Sequence, residues 1–183
     1  MQITVASQAQ QKESKDEQGG LFELQLGAVD YSYFNVLAPS VQFNLATPLG
    51  KYFSLGVLLN GYSAIAPATT DDKWGNEFSY NPQGARVGLM LRAGSVPTTT
   101  HFYGEIIGTA GKAYDTGVVE DKEESRATEL MFGGNIGVNF ITKNDYFFGI
   151  YTGFSIGQLD FDDQVQKKKI TKFQFGLTYH LKI

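Results

Sequence analysis

The sequence predicts an all-β fold: a single antiparallel up-and-down transmembrane β-barrel of about eight strands. Three observations predict it. First, residues 170–183 (ITKFQFGLTYHLKI) alternate from Phe173 onward. Phe173, Phe175, Leu177, Tyr179, Leu181 and Ile183 share one face, and Gln174, Gly176, Thr178, His180 and Lys182 share the other. A strand repeats every two residues, so this stretch has one apolar and one polar face. It remains apolar to Ile183, where a soluble domain more often ends in polar residues. Second, the connections between such stretches alternate in length. They are brief at Pro48, Pro97 and Lys143 and extended over residues 67–83, 114–126 and 160–169. Short turns at one end and long loops at the other are what membrane barrels show. Third, the polar face is mainly Gly, Asn, Gln and Ser. A water-exposed strand face gains nothing from so many glycines, whereas the narrow lumen of a small barrel needs small residues.

Composition agrees. Of 183 residues, 21 are Gly, 14 Phe and 10 Tyr, a combination that favours strands and tight turns. There is no Cys, so disulfides, thiol nucleophiles and cysteine metal sites are excluded. The net charge of -4 offers no basic footprint for nucleic acid. No apolar run reaches the roughly 18 residues that a membrane-spanning helix needs, while barrel strands need only about ten alternating ones.

Taken in order, residues 1–19 are polar and predict a flexible N-terminal tail, with residues 20–183 forming one barrel domain. The first strand covers 21–33, with Phe22, Leu24, Leu26 and Ala28 opposite Glu23, Gln25, Gly27 and Val29. Pro39 interrupts, and the second strand sets Val41, Phe43 and Leu45 against Gln42, Asn44 and Ala46. Pro48-Leu49-Gly50-Lys51 is a tight turn. The third strand, 52–64, sets Phe53, Leu55, Val57 and Leu59 against Ser54, Gly56, Leu58 and Asn60. A long polar loop, 67–83, follows. The fourth strand, 84–95, sets Ala85, Val87, Leu89 and Leu91 against Arg86, Gly88, Met90 and Arg92. The fifth, 100–113, has the least distinct sidedness: Phe102, Gly104 and Ile106 oppose Tyr103, Glu105 and Ile107. The sixth sets Leu130, Phe132, Ile136 and Phe140 against Glu129, Met131, Asn135 and Asn139. The seventh is 146–158, and a charged loop, 160–169, leads into the closing strand.

The hairpin pattern from Phe22 to Ile183 and the final FQFGLTYHLKI resemble the small bacterial outer-membrane barrels of the OmpA/OmpX type. The chain departs from them at Ile183, where many such proteins end in Phe. The resemblance implies a bacterial outer-membrane location, with periplasmic N- and C-termini, periplasmic short turns and extracellular long loops. It implies contact with outer-membrane lipids, including lipopolysaccharide. Tyr31, Tyr33, Phe34, Tyr52, Phe102, Tyr103, Tyr146, Phe147 and Tyr179 then read as interfacial aromatic girdles.

Six charges fall on the predicted lumen face: Glu23, Arg86, Arg92, Glu105, Glu129 and Lys182. Charges removed from water need partners, so pairing of Arg86 and Arg92 with Glu105 and Glu129 is expected to plug the lumen. Trp74 and Tyr80 in the long second loop are candidate contacts for a protein partner. His101 and His180 lie beside the short turns or the C-terminus, out of reach of outer-leaflet lipid, so no catalytic role is assigned. The acidic groups at 120–124 and 160–163 lack the spacing of a calcium loop, and no cofactor or metal site is expected. The expected function is non-enzymatic, a barrel displaying loops for surface contact or serving as an accessory envelope subunit. A narrow channel for small or apolar solutes and a soluble lipocalin-like binding barrel stand as alternatives. Refolded in detergent, the protein is expected to migrate differently on gels with and without boiling; identical migration would contradict a closed barrel.

Overall fold

Alternating side chains with β-branched and aromatic residues on one face produce strands wherever the period-two pattern runs. The computed structural model describes residues 21–31, 36–64, 68–71, 77–94, 100–114, 126–141, 147–161 and 167–182. The strands are β1 (Leu21–Tyr31), β2 (Val36–Pro48), β3 (Phe53–Ser63), β4 (Ala68–Asp71), β5 (Glu77–Tyr80), β6 (Gln83–Gly94), β7 (Thr100–Tyr114), β8 (Arg126–Ile141), β9 (Phe147–Phe161) and β10 (Lys167–Lys182). Eight of them close into an antiparallel barrel in the order β1-β10-β9-β8-β7-β6-β3-β2. Closure is made by β1, which pairs with β2 on one side and with β10 on the other, in a register that sets Leu24 opposite Tyr179 and Leu26 opposite Leu177.

The faces follow the sequence pattern. Phe132 is 62% exposed, Phe175 45% and Leu177 62%, all on the outer wall, while Met131, Gln174 and Thr178 are buried inside. β7 obeys the same rule although glycines blur it in the sequence: Tyr103, Glu105 and Ile107 are buried, and Phe102 and Ile106 are exposed.

Gly50 makes the β2–β3 turn possible. Its φ of 139° is open to glycine and strained for other residues, and it lets the Leu49 N–H reach the Phe53 carbonyl at 2.8 Å. The expected turns at Pro97 and Lys143 lie outside the described residues.

Four features differ from the sequence expectation. Pro39 does not interrupt β2, because it lies just beyond the last β2–β3 pair, Ser40 with Tyr62, where β2 pairs with β1 alone. The polar loop after β3 carries its own hairpin, β4 with β5, and Ala64 N–H donates to the Pro82 carbonyl at 3.0 Å below it. Thr69, Thr70, Phe78 and Tyr80 supply the strand-forming residues there. The charged loop after β9 is shorter than expected. Asp160 and Phe161 still belong to β9, and Lys167, Lys168 and Lys169 already belong to β10. Alternation continues through the charges, with Phe161 and Ile170 buried and Asp160 bridging Lys167 at 3.1 Å. Last, Tyr103 is not a girdle residue; it is buried in the lumen, whereas Tyr52, Phe102 and Tyr179 are exposed. Tyr33, Phe34 and Tyr146, and the side chains of Tyr31 and Phe147, lie outside the described residues.

In lipid vesicles, Ile136→Arg, in the middle of the outer apolar band, is expected to destabilise the barrel by about 2–4 kcal/mol, and Thr128→Arg, at its border, by about 0–1 kcal/mol. Reversible urea unfolding checks both; equal costs would contradict the band.

Candidate functional site

Two arginines on the inner face of β6 organise the barrel interior, with Met90 between them. Arg92 is held between two carboxylates from opposite directions. Its Nη2 lies 2.8 Å from both Glu23 oxygens, and its Nε donates to Glu105 Oε1 at 2.8 Å while Nη2 contacts the same oxygen. Its guanidinium also sits over the Tyr103 ring, 4.4 Å from the centroid. Glu23 accepts further hydrogen bonds from Asn44 Nδ2 at 2.6 Å and Gln25 Nε2 at 2.7 Å, and His180 Nε2 lies 2.6 Å from its other oxygen. Glu105 accepts from Asn135 Nδ2 at 2.9 Å, and Asn135 Oδ1 in turn accepts from Gln174 Nε2.

Arg86, only 1% exposed, pairs with Glu129 Oε1 at 3.0 Å and donates to Asn60 Oδ1. Tyr62 completes this second group: its hydroxyl donates to Glu129 Oε2 at 3.2 Å and its ring lies under Arg86, 5.2 Å from the guanidinium. Amides join the two groups. Asn60 Nδ2 donates to Gln42 Oε1 at 3.5 Å, Gln42 Nε2 to Asn44 Oδ1 at 3.0 Å, and Asn44 to Glu23. A polar chain thus runs from Glu129 through Arg86, Asn60, Gln42, Asn44, Glu23, Arg92 and Glu105 to Asn135, crossing the lumen from wall to wall. Toward the loop end an apolar layer covers it, formed by Val29, Ala113, Ala127, Leu159, Phe161 and Ile170.

The lumen glycines pair with tyrosines across the sheet. Tyr62 is opposite Gly84, Tyr103 opposite Gly94 and Gly137, and Tyr151 opposite Gly137 and Gly176. A Cβ on Gly84 would meet the Tyr62 ring at 2.6 Å, and one on Gly137 would meet the Tyr103 ring. Gly84 and Gly137 leave the space in which Tyr62 and Tyr103 lie against Arg86 and Arg92.

The structure therefore brings together five of the six expected lumen charges, and it links Arg92 to Glu23 as well as to Glu105. For Lys182, β10 pairs the backbone with Leu21, and the side chain lies outside the described residues. Trp74 lies outside them too, as does the Tyr80 side chain, although Tyr80 pairs with Ala68 in the hairpin. Residues 120–124 are likewise undescribed, and among the described residues no three His, Asp or Glu converge as metal ligands. The sequence reading missed Lys172, which is buried on β10 within electrostatic reach of Arg86 and Glu129. Extending the period of two back from Gln174 would have found it. It also missed the three tyrosines, which carried an aromatic rather than a polar signature.

A closed eight-stranded barrel with short turns, a charged and filled interior and an apolar exterior has the fold of the small outer-membrane barrels. The sequence matches no family model and no curated protein. Solved structures do match. Neisserial surface protein A is similar with a TM-score of 0.68 at 12% identity, over 90% of this chain and 97% of that one. The N-terminal β-barrel domain of Pseudomonas aeruginosa OprF gives 0.52 at 10% identity over 90% and 98%. The P. aeruginosa outer membrane protein OprG gives 0.52 at 9% over 91% and 98%.

Arg92→Met leaves two buried carboxylates facing each other and is expected to cost about 3–5 kcal/mol in urea unfolding; adding Glu23→Gln and Glu105→Gln should recover part of it. Gly137→Val should cost about 1–3 kcal/mol by displacing Tyr103. An unchanged midpoint for Arg92→Met would contradict the pairing.

Proposed function

We propose that this chain is a non-enzymatic integral protein of a bacterial outer membrane. Its rigid barrel presents the long connections for contact at the cell surface, or docks as an accessory envelope subunit. One observation carries this reading: the apolar surface faces outward and the charged surface faces a filled interior. A soluble binding barrel has the opposite arrangement, since it keeps its apolar face for the ligand and turns charge to water. Exposed apolar surface on this scale is stable in hydrocarbon, where the closed sheet also pairs its backbone groups.

The same frame supports the expected orientation. β1 starts and β10 ends beside the β2–β3 turn, since Leu21 pairs with both Lys182 and Ala46. Insertion from the periplasm leaves that end, and both termini, on the periplasmic side. The network and the apolar layer leave little room for a water column, which supports an occluded barrel over a conducting one. His180 is engaged with Glu23 and His101 is the second residue of β7, both in the short-turn half, and this geometry supports assigning neither to lipid chemistry in the outer leaflet.

Reconstituted into vesicles, the protein is expected to resist extraction by alkaline carbonate and to give no large, steady conductance in planar bilayers. Carbonate extraction in a folded, detergent-free form would contradict the membrane reading. Large steady conductance would contradict the occluded interior.

A further inference from the structure

The inner face of β10 carries a cation that the charge network leaves unanswered. Lys172 is 5% exposed and lies between Ile170 and Gln174 on that face, with Ser155 opposite it on β9. Among the described residues its ammonium has no ion-pair or hydrogen-bond partner, although Arg86 and Glu129 are within electrostatic reach. Glu129 is committed elsewhere: its Oε1 pairs with Arg86 at 3.0 Å and its Oε2 accepts from Tyr62 at 3.2 Å. Glu23 and Glu105 are bound to Arg92, toward the other end of β6. Every described carboxylate of the lumen is thus held by an arginine. A buried ion without a counter-charge in contact is among the costlier arrangements in a fold, so Lys172 calls for a partner of its own.

The surroundings supply donors rather than acceptors of charge. Ser155 is buried beside Lys172. Thr109, on the inner face of β7 one pair below Gly111 and Arg86, has a buried hydroxyl with no partner. Both hydroxyls and the ammonium can donate hydrogen bonds. Lys168, half-buried on the same face of β10 nearer the loops, extends the positive field toward that mouth of the barrel. Size is limited as well. Ala113, Ala127, Leu159 and Ile170 close over this level, and a barrel of this strand number is nearly filled by its own side chains. A small ion fits such a space, and a lipid head group or a nucleotide does not.

We propose that the loopward half of the lumen binds one small monovalent anion of halide size. The Lys172 ammonium holds it by a charge-assisted hydrogen bond, and the Ser155 and Thr109 hydroxyls donate to it. Arg86 keeps Glu129 and Asn60 and contributes only its field. One ammonium sets the valence, and the filled interior sets the size. The site is made by the barrel alone, so it stands apart from the surface role proposed above. Only the closed barrel assembles it, so the anion stabilises the native state by mass action.

Urea unfolding of the refolded protein in non-ionic detergent tests this, at constant ionic strength, as sodium chloride replaces sodium gluconate, whose anion is too large for the lumen. Once chloride exceeds its dissociation constant, each tenfold rise is expected to lower the unfolding equilibrium constant by up to about tenfold. General salt effects act on every variant alike, so comparison with Lys172→Met isolates the site. Its chloride dependence should vanish, while Lys51→Gln, in the exposed β2–β3 turn, should keep it. Ser155→Ala and Thr109→Val should each raise the chloride concentration required several-fold, and they carry the test if Lys172→Met does not fold. Crystals grown in bromide should show an anomalous peak within hydrogen-bonding distance of Lys172 Nζ. A midpoint indifferent to chloride, which an uncharged Lys172 amine would give, overturns the proposal. A chloride dependence that survives Lys172→Met, or bromide found only at the surface, overturns it equally.

Discussion

The antiparallel pairing of β1 with β10 is the contact on which the rest of the structure depends. An open sheet has two rows of unpaired N–H and C=O groups, and hydrocarbon offers them no partner. Joining the first strand to the last removes both rows. Once the edge is gone, the period of two assigns every side chain to one of two surroundings, and a slip of one residue would exchange them for a whole strand. The outer band of Phe, Leu, Ile and Val and the inner set of Arg, Glu, Asn and Gln are two results of the same closure.

Closure also creates the interior problem that the lumen residues solve. A barrel of this strand number is just wide enough for its own side chains, so whatever points inward is removed from bulk water. Arg92 answers two carboxylates at once, and Arg86 answers a third. The amides of Asn60, Gln42 and Asn44 carry hydrogen bonding across the gap that Met90 leaves between the arginines on β6. The Tyr62 and Tyr103 rings lie under the two guanidiniums, and glycines opposite them leave room for the rings. Glycine enrichment, tyrosine burial and charge pairing are thus one arrangement.

Much of this was legible in the sequence. The strand faces, the inward charges and the turn at Gly50 follow from alternation and turn chemistry alone, and the resemblance of FQFGLTYHLKI to a closing strand pointed to the right fold. The departures have a common cause. Charge was read as loop at Asp160 and Lys167–Lys169, yet strands that rise beyond the apolar band can carry charge on the outward side while Phe161 and Ile170 still pack inward. Pro39 was read as a break, and the pairing on one side only that tolerates it is a tertiary fact. Tyr103 was read as a girdle residue because its phenol suits an interface, although alternation already set it on the face of Glu105; it is buried against Arg92, and Gly137 opposite leaves room for its ring. Which carboxylate answers which arginine likewise depends on the stagger between strands, which no single strand encodes.

The most direct test of the inside-out arrangement is the accessibility of spin labels in lipid bilayers. Single cysteines, introduced in this naturally cysteine-free chain at positions 132, 175 and 177 and at 131, 174 and 178, would each carry a nitroxide. Labels at 132, 175 and 177 should collide readily with oxygen dissolved in the hydrocarbon and hardly at all with a water-soluble nickel chelate, whereas labels at 131, 174 and 178 should be shielded from oxygen. Equal oxygen accessibility at both sets, or strong nickel accessibility at 132, 175 and 177, would contradict the arrangement.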